Sequence, residues 1–174
     1  MTAVLAAAVG FADALGALAP PEVAVHVDWP GGLRVNGAGV GRLRAAAAAT
    51  ADPGAEPDWL VVAIEVGLVP TGGGEPGHDP DTTTLVEEGC GALGRTLMLE
   101  AWGRHTLAWI HRLTEDGPAP VIAAWLAKYD RVGATVTRPG TGRVLGLDDA
   151  GGLLLAAKAG TALYPLTLML EPAP

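Results

Sequence analysis

The run Trp59-Leu-Val-Val-Ala-Ile-Glu-Val66 constrains the fold more than any other stretch of the chain. It is β-branched and almost continuously apolar, so it reads as a buried strand, which needs cover from a layered structure. Helical patterns lie on either side of it. In the first 19 residues Val4, Leu5, Ala8, Phe11, Ala12, Leu15 and Leu18 recur at a helical period behind Thr2 as the expected cap, and Pro20-Pro21 stops the helix. Near Asp81 or Thr82 a short helix begins that carries Leu85, Val86 and Glu88 towards Cys90. A longer one runs from Arg95 to Thr114 with Leu97, Leu99, Trp102, Leu107, Trp109 and Ile110 mostly on one face, ended by Gly117-Pro118. Pro120 to Tyr129 predicts a shorter helix with Ile122, Trp125 and Leu126 inward.

Strand signals fill the remaining segments. Val23 to Val27 alternates, Asp28-Trp-Pro-Gly-Gly32 turns, and Leu33-Arg-Val35 returns towards Asn36-Gly37, a strong hairpin dipeptide. Arg42 to Ala51 is either a helix by alanine propensity or a strand covered on one face. Gly67 to Asp81 reads as a long loop. Beyond Asp130 come Gly133–Thr137, Gly142–Gly146, Gly152–Leu155 and Tyr164–Leu170, spaced about ten residues apart as in a small antiparallel meander or barrel. The expected division is therefore 1–130 and 131–174.

Composition removes several function classes. With 11 basic and 19 acidic residues the net charge is −8, which argues against a partner bound through nucleic-acid phosphates. Hydrophobic residues are 49% and charged residues 17%, too apolar a mixture for disorder. The single cysteine, Cys90, excludes an internal disulfide or a cysteine-based zinc site and fits a reducing cytoplasm. The first apolar stretch has no preceding Lys or Arg and is interrupted by Asp13, so neither a signal peptide nor a membrane span is expected. There is no serine, and hence no serine-hydrolase mechanism.

Few residues point to chemistry. Gly37, Gly39 and Gly41 followed by Arg42 have two readings: a nucleotide-cradling turn that opens a helix, with Glu65 ending a later strand, or a glycine-rich β-turn region. His26, His78, His105 and His111 are scattered; His78 with Asp79 and Asp81 is the one hard-ligand grouping, and it reads as an exposed loop, so no metal site is assigned. Glu87-Glu88 reads as the solvated side of a helix, and Cys90 has no assignable base. No catalytic residue is assigned.

The order of segments resembles the biotin protein ligases, and more broadly the biotin/lipoate A/B protein ligase-like proteins of alphaproteobacteria. Asp28-Trp29-Pro30-Gly31-Gly32 through Gly41 is similar to that family's Lys-Trp-Pro-Asn-Asp … Lys-x-Gly-Gly stretch, and Trp59 to Gly67 to its buried strand ending in Gly-Ile-Gly-x-Asn. Asp81-Thr-Thr-Thr-Leu85 and the tryptophan-bearing helices follow in the family's order, and Val144 to Leu155 is similar to its small C-terminal barrel. The resemblance implies an α+β fold: a mixed sheet with helices packed on one face, of the class II synthetase type and short at the N-terminus, plus an SH3-like barrel. It further implies ATP and biotin or lipoate as reactants if the family activity is retained, a small-molecule acid or carrier protein as partner, and a second subunit or a homodimer. The ligand would lie against Trp29, Pro30, Gly31, Gly37, Gly39, Gly41 and Arg42.

Against that pattern several residues change. The lysine before Trp-Pro is Asp28, its Asn-Asp is Gly31-Gly32, the lysine beside the adenylate falls on Gly39, and the Gly-x-Gly of the strand becomes Ala63-Ile-Glu65. Losing a cation beside an anionic intermediate forfeits about 2.7–4 kcal/mol, by analogy with loss of an oxyanion donor. Three functions follow: a ligase-like protein without ordinary ligase activity that binds a small ligand or a partner, an active ligase using Arg42 and Arg44 as phosphate cations, or a nucleotide-binding module on the three glycines.

Overall fold

The computed structural model describes residues 1–49, 56–70 and 79–171. Its first element, α1 (Ala3–Leu18), begins where the sequence predicts, although Thr2 is not a side-chain cap: Thr2 already has helical dihedrals, and its carbonyl accepts the Ala6 N–H at 3.2 Å. The helix is buried nearly all round, with Ala6, Ala7, Val9 and Ala14 as enclosed as the periodic set. A small-residue helix of this kind belongs in the centre of a core, where backbones pack closely. Here it packs against the first sheet and two further helices, α2 (Arg95–Asp116) and α3 (Pro118–Ala127).

That sheet is an antiparallel meander of β1 (Val25–Asp28), β2 (Gly32–Val35), β3 (Ala38–Ala47) and β4 (Leu60–Val66), in the order β1-β2-β3-β4. It is antiparallel throughout rather than mixed. Asn36 (φ 49°) and Gly37 (φ 95°) form the two-residue turn between β2 and β3, the left-handed pair that such hairpins require. The alanine-rich stretch after Arg42 continues β3 and is not a helix, because its inward residues Leu43 and Ala45 complete the core. The run from Trp59 to Val66 is a strand but not a buried one: β4 forms the sheet's edge, and Val61 on its outer face is 57% exposed.

The short helix expected before Cys90 is a single wide turn, Val86–Cys90, broken by Gly89 at φ 78°. In α2 the inward stripe is Met98, Ala101, Trp102, Trp109 and Ile110, whereas Leu97, Leu99 and Leu107 face solvent. Gly117 ends α2 as expected and passes the chain into Pro118, the first residue of α3.

The last segment is a second antiparallel sheet: β5 (Thr135–Val136), β6 (Gly142–Leu147), β7 (Leu153–Ala157) and β8 (Gly160–Tyr164). Among the described residues it is an open four-stranded sheet, with no closed barrel. The pair Lys158-Ala159 is itself the β7–β8 turn, so the strand expected at Tyr164–Leu170 is the end of β8 followed by a 3-10 turn, Leu166–Met169. Val144, Leu153, Leu155 and Leu166 join α1, α3 and the first sheet in one hydrophobic cluster.

Candidate functional site

The glycine-bearing stretch of β3 holds a β-bulge. Leu33 and Arg34 of β2 face Gly41 and Gly39, so Val40 is the extra residue, and the kink turns its side chain into the core. Glycine is required at 41, where a Cβ would lie 2.0 Å from the Glu65 carbonyl oxygen. At the bulge the chain gains another neighbour. The Gly39 N–H donates to the Asp81 carbonyl and the Thr83 N–H to the Gly39 carbonyl, both at 2.9 Å, while the Gly67 N–H donates to Val40 at 2.8 Å. These bonds frame an open cleft of about 500 Å³ lined by Gly39, Gly41, Arg42, Glu65, Val66, Gly67 and Thr82.

Its charges form a ladder across the outer face of the sheet. Arg42 Nε donates to Glu65 Oε2 and Arg44 Nη1 to Glu65 Oε1, each at 2.8 Å, and Arg44 also pairs with Glu171. Hydrogen bonds from Arg44 and Arg42 hold the Glu65 carboxyl below the usual range, the Arg44 bond does the same for Glu171, and both carboxylates push Arg44 up. The two arginines thus meet two carboxylates, and the ladder carries no net charge. Arg42 is the sole cation among the described residues that line the cleft, and Glu65 neutralises it.

Below the cleft, Glu88 accepts hydrogen bonds from Asn36 Nδ2 and from Thr83 Oγ1, both at 2.6 Å, and Glu87 accepts one from Thr84 Oγ1 at 2.7 Å. Glu88 thus ties the hairpin turn to the threonine segment and Glu87 bonds within that segment, rather than forming the solvated side of a helix. Burial pushes the Cys90 thiol up, with Glu88 and Glu22 adding to it, so the cysteine is not activated.

The expected site residues separate. Gly39, Gly41 and Arg42 share the cleft; Gly37 serves the hairpin turn. Trp29 lines a different cavity, of about 550 Å³, between the β1–β2 turn, Tyr129 and the Arg131–Arg138 segment, and its indole N–H donates to the Gly151 carbonyl at 3.1 Å. Pro30 and Gly31 line neither cavity; the Gly31 carbonyl accepts the Leu43 N–H at 2.7 Å. Beside Trp29 sits an ion-pair cluster that the sequence reading missed. Arg34, whose side chain is only 9% exposed, reaches Asp28 at 2.9 Å and also pairs with Asp130, while Arg131 lies 3.3 Å from Asp28. Burial raises the Asp28 pKa although both arginines oppose it; at Asp130 burial is outweighed by the hydrogen bond and charge of Arg34, and the pKa falls.

The nucleotide-cradling turn is overturned locally: Gly39 and Gly41 sit inside an antiparallel strand, and no helix N-terminus follows them. His78 lies outside the described residues. Asp79 accepts from the Asp81 N–H and the Thr82 hydroxyl, and no group of three His, Cys, Asp or Glu suited to a metal ion occurs among the described residues. No described helix is long and apolar enough to cross a membrane.

Comparison with known proteins gives this geometry a lineage. A biotin protein ligase-like protein of unknown function from Silicibacter sp. TM1040 superposes with a TM-score of 0.87 at 44% identity, over 98% of this chain and 73% of that one. The biotin protein ligase of Aquifex aeolicus, solved in complex with biotin and ATP, shares the fold (TM-score 0.72, 18% identity, 94% of this chain and 68% of that one). A biotin–[acetyl-CoA-carboxylase] ligase from Paracoccus denitrificans is 29% identical over 165 residues, 91% of this chain and 68% of its own length. The model of the biotin/lipoate A/B protein ligase family matches residues 1–127, and the chain belongs to that family.

Proposed function

We propose that this chain is a ligand- or partner-binding member of the biotin/lipoate ligase family whose own residues do not support ordinary acyl-adenylate formation. The observation that carries this reading is the Arg42–Glu65 pair in the glycine cleft. An acyl-adenylate and its triphosphate precursor need uncompensated cations in a water-excluding pocket. At this cleft the resemblance places the adenylate-contacting lysine at Gly39, which has no side chain, and leaves Arg42 paired to a carboxylate. The residues present therefore do not fit ATP, and no chemical step is routed through it.

What the cleft offers is a bulged strand, the Thr82 side chain and a neutral ion-pair wall, suited to a small ligand or to a segment of a carrier protein. The single cysteine accords with a reducing cytoplasm, and this reading takes the second sheet as the counterpart of the family's SH3-like barrel, with the division near residue 130. The test is ATP–pyrophosphate exchange with biotin, lipoate and octanoate. No exchange above background is expected, and robust turnover would sink the reading.

A second reading draws support from the ligase name of the Paracoccus denitrificans relative. In it Arg42 and Arg44 serve as phosphate cations once a substrate displaces Glu65. Nucleotide binding would then be abolished by replacing both arginines with glutamine and strengthened by Glu65→Ala.

A further inference from the structure

We propose that the cavity between the β1–β2 turn and the second sheet binds a small monocarboxylate with a compact apolar body, its carboxylate held by Arg138 and the Tyr129 hydroxyl. This goes beyond the ligase-family reading and stands apart from it. The cavity shares no lining residue with the glycine cleft, and at its rim position 28, a lysine in the family pattern, is a carboxylate held by two arginines. Three observations carry it.

The first is charge. Asp28, Arg131 and Arg138 line the cavity, and Asp28 belongs to the ion-pair cluster with Arg34, Asp130 and Arg131. Within that cluster two arginines meet two carboxylates, so it balances. Arg138 is left over: it lines the cavity from the segment after β5 and has no ion-pair or hydrogen-bond partner among the described residues. The surplus is one positive charge, which suits a monoanion. A dianion would set its second charge against Asp28.

The second observation is an unused donor. Tyr129 is 6% exposed, and its ring packs on that of Trp125 with 4.9 Å between centroids, so the core fixes where it points. It lines the cavity, and its hydroxyl has no hydrogen-bond partner among the described residues, although it is not sealed away as Trp125 Nε1 is. Burial pushes this hydroxyl up and the Asp28 charge adds to it, so it stays protonated and able to donate. A buried phenol usually finds a partner, and a carboxylate oxygen in the cavity supplies one. Thr135 and Thr137, two apart on the same wall, bring further hydroxyls.

The third is the remaining wall. The Trp29 indole N–H is already spent on the Gly151 carbonyl, so that ring offers the cavity carbon rather than a donor. Val136 and Leu153 add branched carbon beside it. A few polar groups at one end and apolar side chains around the rest is the usual make-up of a small-molecule site, and it sets the ligand's body as aromatic or branched aliphatic.

The test is a titration of the whole nitrogen-15-labelled chain with benzoate, followed by NMR of its amide and indole N–H groups. Saturable shifts are expected at the Trp29 indole and at the Thr135 and Thr137 amides, with Gly39, Gly41 and Gly67 unmoved. Arg138→Gln should weaken binding by roughly tenfold or more, and Tyr129→Phe by about threefold to tenfold. Benzamide, which keeps the ring and loses the charge, should bind at least roughly tenfold more weakly than benzoate. The proposal is overturned if the shifts do not saturate, or if Arg138→Gln binds benzoate as well as the parent does. It is overturned too if inorganic phosphate gives the same shifts at the same concentration, which would make the cavity a bare anion site. Biotin that moves these signals and the glycine-cleft amides together would also overturn it, because one family site would then span both places.

Discussion

Asp28 reverses the sign of the lysine that precedes Trp-Pro in the family pattern, and Arg34 supplies the reason. A guanidinium buried in a strand needs carboxylates around it, and Asp28 and Asp130 provide them from the end of β1 and the segment after α3. The two acids are not equivalent. Burial presses Asp28 towards its neutral form, whereas Arg34 holds Asp130 ionised. Replacing Arg34 with methionine leaves Asp28 with Arg131 alone and returns Asp130, 41% exposed, to water, so Arg34→Met is expected to cost about 1–3 kcal/mol in urea unfolding, the usual penalty for a polar group that loses its partner. Asp28→Asn keeps the shape and removes a charge that burial already disfavours, so about 1 kcal/mol is expected. Equal losses in the two variants would show that Asp28 is the stronger partner. An arginine amid the apolar run Leu33-Arg-Val35 was a visible signal that an acid must meet it, but which acid was not, since Asp130 lies 96 residues away.

At the scale of elements, what was legible depended on whether a residue's own backbone chemistry decides its place. Asn36-Gly37 was read correctly because only such residues adopt two successive left-handed conformations cheaply, and Gly117-Pro118 because the pair stops one helix and starts the next. Where tertiary packing decides, the sequence was ambiguous. Alanine-rich β3 is a strand because the bulge and its two neighbours hold it there, and apolar β4 is an edge although its composition is that of a buried strand. The contact of α1 with α2 belongs to the same class: a Cβ on Gly10 would sit 2.4 Å from Thr106 Oγ1 and 2.8 Å from the Thr106 backbone. Alanine is the better helix former by about 1 kcal/mol, yet here the clash should win. Gly10→Ala is expected to destabilise by about 1–3 kcal/mol, the cost of overpacking a core. Thr106→Ala in the same chain should recover only part of it, because the backbone contact remains. Thermal unfolding of the two variants checks this, and a stabilised Gly10→Ala would mean the helices are free to move apart.

Across the whole molecule, the ladder Arg42–Glu65–Arg44–Glu171 ties together parts that no local pattern could associate. Gly39, Gly41 and Arg42 are near neighbours in sequence and line one cleft, but Glu171 joins Arg44 across 127 residues of sequence. The chain returns there from the second sheet to the first: Leu170 bridges Ala45, and the Glu171 N–H donates to the Ala45 carbonyl at 2.9 Å. The ladder that neutralises the cleft is therefore also a clasp between the sheets, and its strength must depend on pH. The Glu65, Glu171 and Asp130 carboxyls are all held below their ordinary values in the folded protein. Their contribution is complete above the unfolded carboxylate range, about pH 4, and is lost as pH falls through the folded values. Asp28, with its raised pKa, has the opposite sign: its contribution is present at low pH and is lost as pH rises through the folded value. Stability is thus expected to drop on acidification below about pH 4. In Glu171→Gln the acid limb should be shallower and the neutral-pH Tm lower, and because the clasp is exposed, high salt should shrink the difference between variant and parent. Superimposable Tm–pH curves for parent and variant would show that the backbone bridge at Ala45 holds the sheets together by itself.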